Sequence, residues 1–347
     1  FRRVLFRSQD AQPCEDPTVK AVVAETLESL ESYQFKAVET PAPEKGQVLI
    51  RVAACGVGYV DALVALGRYQ VKPPLPHTPG REVSGIVEAV GDGVTGISVG
   101  DRVMTMTANG FAEYALAPAA MVIKLPQTIG FVEAASLPLN YLTAQHGLKD
   151  RAALAAGETV LVFGAAGGVG SAATQVAKAL GARVIAAAST EEKRAFALAH
   201  GADDVIDTEP EGWRDRLKAL TGGKGPDVVF DPVCGPLFEP AFRSLRWRGR
   251  HMVVGFVGGP IPALPSNLTL MKGAALMGVD VRQHLEYELP QAIAALQEIA
   301  GWAADGKIRP PVGKVYPFSQ FGEAMVFALS GKGAGKVVLE VAPNGGA

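Results

Sequence analysis

The chain has 347 residues, 48% hydrophobic and 20% charged, with 33 basic against 35 acidic residues and a net charge of −2. A single core rarely grows beyond about 250–300 residues, so two domains are expected, and this apolar content excludes a disordered chain. The charge balance gives no global footprint for nucleic acid or an anionic membrane, and glycine or charge breaks each apolar stretch short of the roughly 18 residues a membrane helix needs.

Residues 1–17 read as a poorly ordered extension, because the opening Phe1-Arg-Arg-Val-Leu-Phe-Arg-Ser8 has too short an apolar stretch for a signal peptide. Strands are expected at 18–23, 47–53, 83–90, 102–106, 110–116 and 122–125, joined by glycine-rich connections such as Gly91-Asp-Gly93. Short strands with turns every 8–12 residues or so predict an antiparallel, barrel-like β domain. Cys14, Cys55 and Cys234 are widely spaced and form no CxxC pair, which argues against a disulfide framework or a four-cysteine zinc site and for a cytoplasmic protein.

The rhythm changes near residue 132. A helix is expected over 134–147, then an unbroken apolar strand at 159–163, a glycine turn and a helix at 171–180. A strand at 183–187, a helix at 191–199 and strands at 204–207, 226–231, 250–254 and 275–279 continue the alternation. Strands apolar on both faces alternating with helices predict a parallel, doubly wound sheet. The closing helix at 289–304, strand at 313–317, helix at 321–329 and strand at 336–341 do not extend that alternation. They are expected to return to the first domain, giving 18–138 with 277–345 as one domain and 139–276 as an inserted cofactor domain.

The strongest motif is Gly164-Ala165-Ala-Gly167-Gly168-Val169-Gly170, between an apolar strand and an amphipathic helix. Glycine lets the turn take positive φ and lets backbone approach a pyrophosphate, while the helix N-terminus supplies N–H groups and partial positive charge. An ordinary tight turn is the alternative, but the flanking strand, helix and second strand all fit a dinucleotide site. An NAD site usually carries Asp or Glu at the end of the second strand. Here that end reads Ala-Ala-Ala-Ser189-Thr190-Glu-Glu-Lys193-Arg194, hydroxyls and cations suited to a 2′-phosphate. NADP(H) is therefore expected, against an alternative in which Ser189 or Thr190 merely caps a solvated helix.

These residues resemble the medium-chain dehydrogenase/reductase superfamily, in its zinc-free NADPH:quinone oxidoreductase (zeta-crystallin-like) branch. The resemblance rests on Ala54-Cys-Gly-Val-Gly-Tyr-Val-Asp61, on Pro79-Gly-Arg-Glu-Val-Ser-Gly-Ile-Val-Glu-Ala-Val-Gly91, on Val99-Gly-Asp-Arg-Val103, on the glycine turn and on Gly335-Lys-Val-Val-Leu339. It implies a GroES-like β-barrel catalytic domain joined to a Rossmann domain, and a homodimer joined through the cofactor domains, here around residues 264–270 and 275–279. Zinc-dependent members place a cysteine where this chain has Gly58 and a Gly-His-Glu where it has Gly80-Arg81-Glu82, so no metal is expected. Cys55 reads as buried packing and His77 as a loop residue. Members of the quinone branch often carry Asn where Gly58 stands.

The resemblance implies hydride transfer from NADPH to a conjugated acceptor, most simply a quinone or enone. Tyr59, Asp61 and Tyr69 match cleft-lining positions, with Tyr69 as candidate hydrogen-bond donor to the developing oxyanion. Gly255 and Phe256, after a strand end, are expected beside the nicotinamide, and Lys336 is assigned to the cofactor-binding set. Two rivals remain: a 2-alkenal or enoyl-thioester reductase of the same superfamily, and a non-catalytic NADPH-binding structural or RNA-associated protein. The absence of a basic, aromatic-interleaved patch weighs against RNA.

Overall fold

A computed structural model describes residues 18–342; the extension at 1–17 and the last residues of the expected first domain lie outside the described residues. The first strand, Thr18–Val23, pairs antiparallel with Gln34–Glu39, a hairpin partner that its polar sequence hid.

The catalytic-side sheet has seven strands centred on Gln47–Val57. That strand pairs along one edge with Glu82–Val90, and along the other with Tyr114–Pro118 for its first half and Lys336–Glu340 for its second. It continues four residues past the expected end at 53, because Ala54 to Val57 gain their partners from the last strand of the chain, far away in sequence. Arg102–Met106 and Ile123–Lys124 extend the sheet on the Glu82–Val90 side. The sheet is mixed rather than wholly antiparallel: Val312–Pro317 runs parallel to Lys336–Glu340. The helix Phe321–Ser330 between them provides the crossover that a parallel pair needs.

The strands from Thr159 to Gly278 form a second, fully parallel sheet. Its order is Asp204–Ile206, Arg183–Ala187, Thr159–Phe163, Val228–Asp231, Arg250–Val253, Ala275–Gly278, the doubly wound arrangement with the first strand central. Side chains alternate across it. Val160 and Val162 join one buried cluster with helix residues Ala173 and Val176, whereas Leu161 and Phe163 join another with Trp213 and Phe242. The even apolar reading of these strands follows from burial on both faces.

The expected helix at 134–147 is divided. Phe131–Ala134 forms a single turn, Pro138 opens a helix ending at Gln145, and a wider helical turn follows over His146–Arg151. Proline at a helix start explains the break, since its missing N–H costs nothing there. Short helices at Tyr59–Ala65, Trp213–Leu220, Phe238–Ser244, Asn267–Lys272 and Val281–Tyr287 lay below the length at which periodicity can be read.

Glu82 and Lys336 form a buried ion pair joining the start of one strand to the start of the last. The other Glu82 oxygen accepts from the Leu139 N–H at 3.1 Å, so three distant segments meet on one carboxylate. Removing one partner would strand a buried charge. We expect Lys336→Met to destabilise by about 3–5 kcal/mol in chemical denaturation, and Glu82→Gln combined with Lys336→Met to be less destabilising than Lys336→Met alone.

Candidate functional site: the cleft between the two sheets

A cleft of about 720 Å³ runs along the carboxyl ends of the parallel strands, where an open α/β sheet places its ligands. Its floor is the glycine turn. Gly164 sits at φ +58°, the left-handed conformation that lets the chain reverse out of strand Thr159–Phe163. A Cβ on Gly170 would fall 2.2 Å from the Gly164 carbonyl oxygen, so glycine is what lets helix and strand approach. The helix spans Gly168–Ala179 and begins inside the turn, three residues before the expected start. No side chain caps its first turn, which leaves backbone N–H groups and the positive helix end facing the cleft. Gly164, Gly167, Gly168, Val169 and Gly170 all line it, whereas Ala165 is buried behind them.

At the end of the second strand, Ala187, Ala188, Ser189 and Lys193 line the cleft, with Thr208 from the next strand's end. Thr190 and Arg194 do not. Thr190 caps helix Glu191–Ala199, its hydroxyl accepting from the Lys193 N–H at 3.2 Å, and Arg194 donates to the Ala188 carbonyl at 3.0 Å. Lys193 Nζ donates to the Gly331 carbonyl at 2.8 Å, bridging the cleft mouth to the loop before the last strand. Asp207, one strand over, is held by Arg216 at 2.7 Å and lies off the cleft wall.

The opposite end is built by the junction Val57-Gly58-Tyr59, by Asn140 and by Lys336-Val337. Tyr59 is half-buried in the wall; Tyr69 is half-buried on the loop beyond helix Tyr59–Ala65 and does not line the cleft. Asp61 does not reach it either. Its buried carboxylate accepts from the Gly58 N–H at 2.7 Å and the Gly80 N–H at 3.4 Å, so it orders the loop through backbone amides. Burial holds the Asp61 carboxyl above the usual range. Lys336 lines the cleft with its ammonium committed to Glu82.

Gly255 and Phe256 do not line the cleft, and Phe256 is exposed. The wall itself is Pro232-Val233 and Gly235-Pro236, with Val257. Asp231 shapes that stretch: one carboxylate oxygen accepts from the Val233 and Cys234 N–H groups at 2.9 and 2.8 Å, and the other lies 3.1 Å from His251 Nε2. Asn140, Asp231 and the closing-loop glycines Gly331 and Gly333 were missed by sequence reasoning. A polar residue ending an otherwise apolar strand was the available signal for Asp231; a lone Asn within a helix carries none.

The positions to which the resemblance assigns a catalytic zinc's cysteine and histidine carry Gly58 and Arg81, neither of which offers a ligand atom. The nearby Cys55 is fully buried, its thiol pushed well up by that burial, away from the thiolate a metal takes. The donors present do not fit a catalytic zinc. His77 joins the hairpin region, with Nδ1 2.7 Å from the Tyr33 hydroxyl.

Comparison with known proteins settles the family. Residues 44–127 match the alcohol dehydrogenase GroES-like domain and residues 168–298 the zinc-binding dehydrogenase domain. The quinone oxidoreductase of Sus scrofa is 40% identical over 305 residues, 87% of this chain and 91% of that protein. The chain belongs to the quinone oxidoreductase branch of the medium-chain dehydrogenase/reductase superfamily. Among solved structures, a probable oxidoreductase from Mycobacterium abscessus superposes with a TM-score of 0.85 at 35% identity, covering 94% of this chain and 100% of that one. A mycobacterial protein solved with NADPH gives 0.85 at 32% identity, covering 93% and 100%. The protein is an oxidoreductase using a nicotinamide cofactor on a small-molecule substrate, and no helix among the described residues is long and apolar enough to cross a membrane.

The turn fits that cofactor through its uncapped helix end and the close approach at Gly170. Gly170→Ala is expected to weaken dinucleotide binding on the order of tenfold or more, about 1.4 kcal/mol, in a fluorescence titration. Gly322→Ala, where an added Cβ meets nothing within 4 Å, should leave it unchanged.

Proposed function

We propose that the protein is a cytoplasmic, homodimeric NADPH:quinone oxidoreductase that works without zinc. The observation that carries the cofactor choice is the strand end: Ser189 and Lys193 border the cleft there, with no carboxylate to repel a 2′-phosphate. When bound, the reduced nicotinamide supplies a hydride. The chain's part is orientation and dryness: the uncapped helix end and Gly turn hold the pyrophosphate, and Pro232 to Pro236 with Asn140 form the walls. A quinone suits a site without Lewis-acid donors, because aromatisation drives its reduction. Tyr59 lines the cleft and Tyr69 does not, which favours the Tyr59 hydroxyl as proton donor to the reduced oxygen.

Two further features support the assembly and the compartment. Strand Ala275–Gly278 is an open sheet edge, and exposed Leu276, Leu270, Met271 and Trp247 lie on or near it, the expected surface for a second copy. Cys55 and Cys234 are unpaired, as a reducing compartment allows.

Steady-state oxidation of NADPH and of NADH with 1,4-benzoquinone, before and after chelator treatment, tests the reading. Turnover should survive the chelator and favour NADPH, and Ser189→Asp should raise the KM for NADPH on the order of tenfold while sparing NADH. Faster turnover on crotonyl-type thioesters than on quinones would transfer the protein to the enoyl reductases.

Tyr59→Phe should lower kcat on the order of 100-fold, with Tyr69→Phe close to the parent enzyme. The reverse ranking would return the proton to Tyr69.

A further inference from the structure

Four side chains away from the cleft converge without a role in the chemistry above. His146 and Asp150 sit on the wide helical turn that ends the segment entering the cofactor domain; His284 and Glu288 lie on and just after helix Val281–Tyr287, which leaves it. The two imidazoles stack, centroids 4.0 Å apart and planes 16° from parallel, and both are more than nine-tenths buried. The carboxylates stand at the surface. His146 Nδ1 lies 2.8 Å from Asp150 Oδ2, and His284 Nδ1 2.8 Å from Glu288 Oε2. One ligand atom from each residue falls within 4.8 Å of the other three.

We infer that His146, Asp150, His284 and Glu288 form a structural zinc site that clasps the two crossings between the domains. Two imidazole nitrogens select a transition metal over calcium or magnesium, and two carboxylates neutralise a divalent charge. Four protein ligands close the coordination sphere, as structural zinc requires; binding would rotate the exposed carboxylates onto the ion and turn one imidazole out of the stack, so that both ring lone pairs point at it. Two observations separate this from a pair of ordinary ion pairs. His146 Nδ1, though close to Asp150, makes no hydrogen bond, so a buried nitrogen is left facing the cluster. The helix also widens there, with the Ala152 N–H donating to the Gly147 carbonyl at 2.9 Å, a rare form that recurs at functional sites. Of the two cations flanking Asp150, Lys149 pairs with Glu298 at 2.6 Å and Arg151 directs its Nε to the Gly278 carbonyl at 3.3 Å.

None of the four residues lines the cleft, so the site is separate from the chemistry and from the family's metal positions. It would fix helix Pro138–Gln145, whose Asn140 borders the cofactor site.

The test is calorimetric titration of zinc into the untagged, chelator-stripped full chain, with cobalt as an optical probe. One zinc per chain, a four-coordinate cobalt spectrum and a raised Tm are expected, with quinone turnover unchanged. His284→Gln should abolish binding and Asp150→Asn with Glu288→Gln weaken it on the order of 100-fold, NADPH binding serving as the check of folding. Should the histidine variant fail that check, the surface pair decides. Zinc uptake well below one equivalent, or uptake that the variants leave intact, overturns the site.

Discussion

The last strand of the chain is what makes one site out of two sheets. The Gly335 N–H donates to the Ala166 carbonyl at 2.8 Å, within the glycine turn. The next residue, Lys336, pairs with Glu82 at the start of a strand in the other sheet. Two adjacent residues thus hold the glycine turn against the seven-stranded sheet. An ion pair removed from water carries a desolvation cost that only close geometry and further hydrogen bonds offset. Here the Leu139 N–H supplies one, which also draws helix Pro138–Gln145 to the same point. The cleft exists because these contacts fix its two walls.

Around that seam, polar groups are used to hold backbone in place. Asp61 gathers the Gly58 and Gly80 amides, and Asp231 gathers those of Val233 and Cys234. Both carboxylates are buried and neither is free to act as an acid or base in the cleft. The Asp61 carboxylate thereby ties the Gly58 junction to the Gly80 segment, 22 positions further along the chain.

Much of this was legible along the chain, for reasons that differ by element. Strand Thr159–Phe163 and helices Glu191–Ala199 and Leu289–Ala304 were read because burial on two faces gives an apolar run and burial on one face gives a helical period. Helix Tyr59–Ala65 was not, since seven residues hold too little of either pattern. Tyr59 and Asp61 were both singled out, yet spacing cannot tell a side chain in the cleft wall from one turned back to cap its own loop. The same limit applies to Thr190 and Arg194, whose neighbours Ser189 and Lys193 reach the cleft while they serve the helix and strand end.

The sequence by itself determined the family, the two sheets and the glycine turn, because each depends on local conformation or on a pattern repeated along the chain. Tertiary structure decided which residues meet. Lys336 and Glu82 are 254 positions apart, and His146 and His284 share a stacked contact across most of the cofactor domain. Such meetings are set by the packing of whole elements, where a shift of one strand register or one helical turn would separate the partners without changing any local signal.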